Sequence, residues 1–319
     1  MSERAALLAA MKGRKIAVLG DLIADCYVET HPERLSREAP VLILKYERHR
    51  FKPGCAANTV MNLHALGADV TPFGFLGNDD AGIAVRDAFQ EAGIPVQGIV
   101  TSGATTQKVR LVSGDVARPK QQILRLDLDN VCDDATVSAN LDEVVRRGGF
   151  DGIVVSDYLL GVATPARLAT LREASPDALV SIDARAGLDR YPDVDLVTPN
   201  DGEAAVALAR PVVTDDEATS GALELRERLR ARAILLTRGN QGMLLADGET
   251  HRIAISGPSE IVDPSGAGDT VVAVAALARV AGANYLQAAH LANVAAGISV
   301  MKVGPASVTP AEILEAVHG

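Results

Sequence analysis

The chain has 319 residues, 48% of them hydrophobic and 23% charged, a composition that supports a packed core and excludes wholesale disorder. A formal net charge of −10 without a long Lys/Arg run argues against a nucleic-acid partner, and 3% aromatic residues with no Trp provide no stacking platform for single strands. Three widely spaced cysteines, Cys26, Cys55 and Cys132, form neither a CxxC pair nor a zinc pattern and read as packing thiols in a reducing compartment.

Residues 1–15 carry an early Glu3 and predict an N-terminal helix rather than a signal peptide. The apolar stretch 270–278 stops at Arg279, short of the ~20 residues a membrane span needs, so no membrane partner and a cytoplasmic location are expected. Short Val/Ile/Leu runs at 15–20, 152–156, 179–183, 195–199 and 233–237 suit strands buried on both faces, the pattern of a parallel sheet. Helical stretches at 164–174 and 218–230 lie between them, so the chain predicts a layered α/β sandwich. Residues 41–50 and 105–129 break that rhythm: they alternate, carry many charges and predict a small antiparallel sheet projecting from the main body. Residues 242–256 predict a hairpin turning at Asp247 and Gly248. His64 and His290 sit in Ala/Leu-rich helical runs and read as helix residues, and no GxGxxG follows the first strand, which disfavours a dehydrogenase.

The strongest chemical signal is VDPSGAGDT at 262–270, ahead of a helical run. Gly266 and Gly268 let the backbone approach a ligand closely. Their N–H groups, with that of Ala267, open a helix whose dipole favours negative charge. Asp269 falls in the first helical turn, where by itself it serves equally well as a cap.

Further segments accompany it in order: Gly20 and Asp21 with Asp25, GCAAN at 54–58, NDGE at 200–203, TRGNQG at 237–242 and ANVAA at 292–296. Together they resemble the signatures of the ribokinase-like (PfkB) family of sugar kinases over nearly the whole chain. The resemblance implies one domain, 1–319, with a three-layer sandwich, a mainly parallel central sheet and a β-lid from about 24–52 and 105–129. It implies Asp269 as the base for a sugar hydroxyl, and the amides of Gly266, Ala267 and Gly268 as an anion hole. Asn200 and Glu203 are implied to hold Mg²⁺ largely through water. ATP is implied at Thr237, Arg238, Gly239, Gly242, Asn293 and Ala296, and the sugar at Asp21, Asp25, Gly54, Cys55 and Asn58. Asp21 and Asp25 serve equally as caps of the turn after a strand. Asp263, Ser265 and the loop near Gly304 resemble the family's monovalent-cation (K⁺) site, although Asp263-Pro264 also reads simply as a turn.

Residues 34–41, 108–110, 121–127, 155–158 and 260–270 resemble bacterial heptose 7-phosphate kinases. This implies phosphorylation of O1 of D-glycero-D-manno-heptose 7-phosphate to the 1,7-bisphosphate, toward ADP-heptose. In some such proteins a nucleotidyltransferase domain follows, and the end of this sequence at Gly319 reads as the kinase step alone. Lys108, Arg110, Arg125 and Arg185 are the candidates for a phosphate pocket. Lys108, Arg110 and Arg125 also fit as charges on the wet face of a sheet. The sequence departs from that group at Leu160 and Cys26, where a basic residue is usual, at Cys55, where Gly is usual, and at 183–185, where DAR replaces DPK. A different sugar or sugar phosphate therefore stays open, as does a non-catalytic sugar or nucleotide sensor. A redox role for the Cys55 thiol is the minor alternative to packing. The charged lid is expected to cover the sugar and to pair two subunits in a homodimer.

Overall fold

The computed structural model describes residues 3–101, 103–115, 118–131, 135–257 and 261–316; Cys132 and Glu260 lie outside the described residues. Helix α1 (Glu3–Met11) leads to strand β1 (Lys15–Gly20), the long strands β2 (Leu22–Leu35) and β3 (Leu42–Cys55), and helix α2 (Ala56–Ala65). Strand β4 (Asp69–Leu76), helix α3 (Asp80–Glu91), strand β5 (Ile99–Thr101) and strands β6 (Gln107–Asp115) and β7 (Arg118–Leu128) follow. Next come α4 (Ala135–Val144), β8 (Gly152–Asp157), α5 (Pro165–Ala174), β9 (Leu179–Ala184), β10 (Leu196–Val197), α6 (Asp201–Leu208) and α7 (Asp215–Leu229). The chain closes with β11 (Ala233–Thr237), the hairpin β12 (Met243–Ala246) and β13 (Thr250–Ile253), and helices α8 (Ala267–Val280), α9 (Tyr285–Ser299) and α10 (Pro310–Ala316).

Among the described residues nine strands form one sheet in the order β13-β12-β11-β10-β9-β8-β1-β4-β5, parallel throughout except for β12 and β13. Successive side chains of β1 enter opposite cores: Ile16 and Val18 pack with α2, α8 and α9, Ala17 and Leu19 with α5 and α7. That double burial is why the strand reads as an unbroken apolar run, and each fully buried aliphatic side chain contributes about 1.5–3 kcal/mol. The layers are therefore helix, sheet, helix, the sandwich expected from the sequence.

The second sheet has the order β3-β2-β6-β7. Its outer pairs are antiparallel, as expected, and a parallel seam joins β2 to β6. β2 and β3 diverge from the core at Gly20 and return at Cys55, so both ends of the lid's first half are fixed beside the central strand. Helix α7 begins three residues earlier than its apolar pattern, because Thr214 caps it and Glu217 returns the bond to the Thr214 amide. His64 lies in α2 and His290 in α9. No helix among the described residues is long and apolar enough to cross a membrane.

Candidate active site

Helix α8 opens at Gly266, whose φ of 81° lies in the left-handed region. A side chain there would also meet the Asn58 amide at 2.5 Å, so both backbone and space require glycine. Asp269 follows in the first turn and is 3% exposed. Asn58 Nδ2 donates to its Oδ2 at 2.9 Å, and the Tyr158 hydroxyl donates to Oδ1 at 3.3 Å. Asn62 Nδ2 in turn donates to Asn58 Oδ1 at 3.2 Å and so fixes which end of the Asn58 amide faces the acid. Burial pushes Asp269 from 3.8 up to about 7, while the Asn58 bond and the nearby Lys108 ammonium restrain the rise. The result is a carboxylate that can take a proton near neutral pH, aimed from the end of a helix that favours anions.

Asp269 shares a cavity of about 180 Å³ with Tyr158, Asp183, Asn200, Glu203 and the Gly266–Gly268 backbone. Asn200 caps α6 and is locked to Glu203 in a reciprocal pair of bonds at 2.8 and 2.9 Å. Burial raises the Glu203 carboxyl, and burial with the negative charges of Glu203 and Asp269 raises Asp183 well above the ordinary range. A buried carboxyl facing two other carboxylates, as Asp183 does, makes a setting a divalent cation relieves. Among the described residues, no three His, Cys, Asp or Glu side chains converge as direct metal ligands. Beyond Gly268 a cleft of about 500 Å³ runs past Thr237, Gly239, Gly242, Asn293 and Ala296. Asn293 Nδ2 donates to the Ala254 carbonyl at 2.7 Å, tying α9 to the chain after β13.

On the other side stands the lid. Arg110 pairs with Asp25, both nearly fully buried, and Gly54 lies so close that a side chain would meet Asp25 Oδ2 at 2.4 Å. Lys108 reaches from β6 into the site, with Nζ 2.7 Å from Cys55 Sγ and 4.3 Å from the Tyr158 ring centroid. Cys55 adopts φ 54°, a strained value for a non-glycine residue, and burial pushes its thiol up to about 12. That makes it a buried neutral neighbour of Lys108 and not a reactive thiolate. Leu160 packs with Ile23 and Cys55 in a small apolar cluster.

Asp21 faces inward beneath the loop after β8, where its carboxylate accepts the amides of Tyr158, Leu160 and Val162. Asn58 is engaged with Asp269, as described. Arg238 turns from the nucleotide cleft and binds Asp201, Asp215 and the Val213 carbonyl. Arg185 is exposed, and its charge opposes the rise at Glu203. Asp263 accepts the amides of Ser265 and Gly304, one on each oxygen and each at 2.9 Å, so it clamps two loops together. Tyr158, Asn62 and Asp183 were not among the expected site residues. Tyr158 and Asp183 lie at the C-terminal ends of parallel strands, where ligands of α/β sheets gather, and that is the signal that could have found them.

Comparison with known proteins bears on this geometry. The model of the pfkB family of carbohydrate kinases matches residues 14–312. The chain is 38% identical over 309 residues to the bifunctional protein HldE of Pelobacter propionicus, covering 94% of this chain and 62% of that protein. It is 38% identical over 314 residues to HldE of Caulobacter vibrioides, covering 95% and 63%. It therefore spans just under two thirds of the length of these relatives. Phosphofructokinase-2 from Escherichia coli in complex with potassium superposes with a TM-score of 0.77 at 16% identity, covering 96% of this chain and 98% of that one. Arabidopsis thaliana ribokinase complexed with ribose and ATP gives 0.73 at 18%, covering 97% and 99%. The chain belongs to the pfkB family of carbohydrate kinases and is a sugar kinase.

Proposed function

We propose that the protein transfers the γ-phosphoryl group of ATP to O1 of D-glycero-D-manno-heptose 7-phosphate, giving the 1,7-bisphosphate and ADP. The observation that carries this reading is Asp269: a buried carboxyl with a proton affinity near neutrality, at a glycine-opened helix terminus between a lid and a cleft. The similarity to HldE proteins supports the heptose. Asp269 takes the hydroxyl proton as the oxygen attacks phosphorus, and Asn58 and Tyr158 hold its two oxygens in place. The amides of Gly266, Ala267 and Gly268 receive charge developing on the transferred group. Glu203 and Asn200, with Asp183, are the residues that would hold Mg²⁺ through water; bound there, the ion neutralises phosphate charge. Backbone carbonyls of the loops clamped by Asp263 would hold a monovalent cation such as K⁺. Use of ATP is consistent with a cytoplasmic location.

The lid supports a homodimer. Its inner face is charged, whereas Leu124, Leu126 and Leu128 of β7 are 56%, 52% and 45% exposed on the opposite face. Exposed apolar strands of this kind are normally covered. Light scattering is expected to give twice the chain mass for the native protein and the monomer mass for Leu126→Asp; a native monomer overturns the dimer.

The test of the activity is ATP-dependent ADP release with a panel of heptose 7-phosphate, fructose 6-phosphate, fructose and ribose. Selective turnover of the heptose phosphate is expected. A preference for another sugar overturns the substrate but leaves the chemistry, and binding without turnover would favour the sensor reading.

A further inference from the structure

The loop after β8 is held by the carboxylates that end β1 and β8. Asp21, 2% exposed, follows Gly20 and is tied to β8 by its own amide, which donates to the Ser156 carbonyl at 3.1 Å. Its Oδ2 accepts the amides of Tyr158 at 2.7 Å and Leu160 at 3.2 Å, and its Oδ1 accepts that of Val162 at 3.3 Å. The amide between the first two, that of Leu159, goes to Asp157 Oδ1 at 2.9 Å. The loop's carbonyls are met by donors from neighbouring elements: Gly161 and Val162 receive Arg167 Nη1 at 2.7 and 2.9 Å, and Ala163 receives Arg190 and the Tyr191 hydroxyl.

This convergence needs an unusual backbone. Alternate amides reach one anion when the residues between them reverse their handedness, and Leu159 and Gly161 do so with φ of 67° and 91°. Glycine visits that region freely, whereas leucine stays there only where its surroundings enforce it. The two carboxylates supply the enforcement. Asp157 also binds Arg190 and the Tyr191 hydroxyl, but the three bonds of the Asp21 carboxylate all go to this loop. Burial lifts Asp21 from 3.8 to about 6, and the amides hold it from rising further against the charge of Asp157. Near neutral pH it is therefore the anion that those amides require.

The consequence reaches the base. Tyr158 is the first residue of the loop; its hydroxyl donates to Asp269 Oδ1 at 3.3 Å, and its ring centroid lies 4.3 Å from Lys108 Nζ. An amide fixed on Asp21 fixes the root of that ring. We infer that Asp21 is a positioning residue, which shapes the 158–162 loop so that the Tyr158 hydroxyl meets the catalytic carboxylate of Asp269. The inference rests on the proposed role of Asp269 and extends it to a side chain that does not line the cavity around that acid.

The test compares native enzyme, Asp21→Asn, Tyr158→Phe and the double variant by two readouts. The asparagine side chain turns an N–H donor toward at least one of the three loop amides. The first readout is hydrogen exchange of amides 158–162 in the full chain without ligand. Asp21→Asn is expected to speed it at least ~10-fold, the worth of one hydrogen bond, and Tyr158→Phe to leave it near native. The second is the acidic limb of kcat/KM for ADP release, with whichever sugar the native enzyme uses. Asp21→Asn should move that limb up by about one pH unit, the worth of the Tyr158 bond, and add nothing in the Tyr158→Phe background. Unchanged exchange in Asp21→Asn, or a further shift in the double variant, overturns the inference. So does a loop that loosens without moving a limb that Tyr158→Phe does move. If Asp21→Asn frees the loop and neither substitution moves the limb, the tuning of Asp269 fails and the positioning of Tyr158 stands. A native enzyme silent with every sugar overturns the kinase reaction, and hydrogen exchange then decides the place of Asp21 by itself. Should Asp21→Asn not fold, the same comparisons are made in a Leu159→Gly background, where glycine holds the left-handed turn without enforcement.

Discussion

Replacing Tyr158 by Phe removes one of the two side-chain hydrogen bonds that favour the charged form of Asp269. The ring stays, and with it the packing under the Lys108 ammonium. A hydrogen bond to a charged group is worth about 1.5–3 kcal/mol, and at 3.3 Å this one belongs at the lower end, or about one pH unit. Asp269 starts at about 7, so the acidic limb of kcat/KM, which reports the free enzyme, should move up by about one unit. At pH 7 the ionised fraction then falls from about one half to about one tenth, a loss of roughly five-fold that nearly vanishes by pH 9. The assay is steady-state ADP release from native enzyme and variant across that range. A limb that stays in place, or an equal loss at every pH, would refute the claim that this hydroxyl tunes the base.

Three further outcomes are expected. The raised Asp269 proton affinity means that its stabilising contribution is present below pH 4 and is lost as pH rises through about 7. Asp269→Asn should therefore leave the melting temperature unchanged near pH 4 and raise it at pH 8, by on the order of 2–4 °C per kcal/mol relieved. Arg110→Met strands Asp25, which is 3% exposed, and should cost about 3–5 kcal/mol, or on the order of 10 °C; adding Asp25→Asn should restore most of it in a thermal scan. Arg238→Ala breaks the link from the end of β11 to Asp201 and Asp215 and should lower the melting temperature while shifting KM for ATP less than two-fold, measured by the same ADP assay.

The layered fold was legible because β1 and β8 are buried on both faces and leave continuous apolar runs, a signal that needs no tertiary information. Strand β2 was harder to read: LIADCYVETHPERL is buried at one end, exposed at the other and interrupted by Pro32 at a change of register. The loop carrying Gly266 and Asp269 was legible from its spacing. Side-chain direction was not. Asp21 and Arg238 stand next to their expected sites in sequence, yet one turns under a loop and the other toward α7, because three amides and two carboxylates satisfy them there. Arg110 and Arg125 were named from the sequence, but their alignment with Arg50 across the lid was not legible, for a different reason. Register across four strands is set by bulges and by a parallel seam joining segments about 80 residues apart, and local pattern encodes neither.

The most direct measurement is ADP release with heptose 7-phosphate and ATP, native enzyme against Asp269→Asn, alongside calorimetric binding of the same sugar to both. The account predicts turnover by the native enzyme, loss of at least ~10³-fold in kcat for the variant, and sugar affinity retained in both. A variant that turns over at the native rate would contradict the assignment of Asp269 as the base on which the account rests.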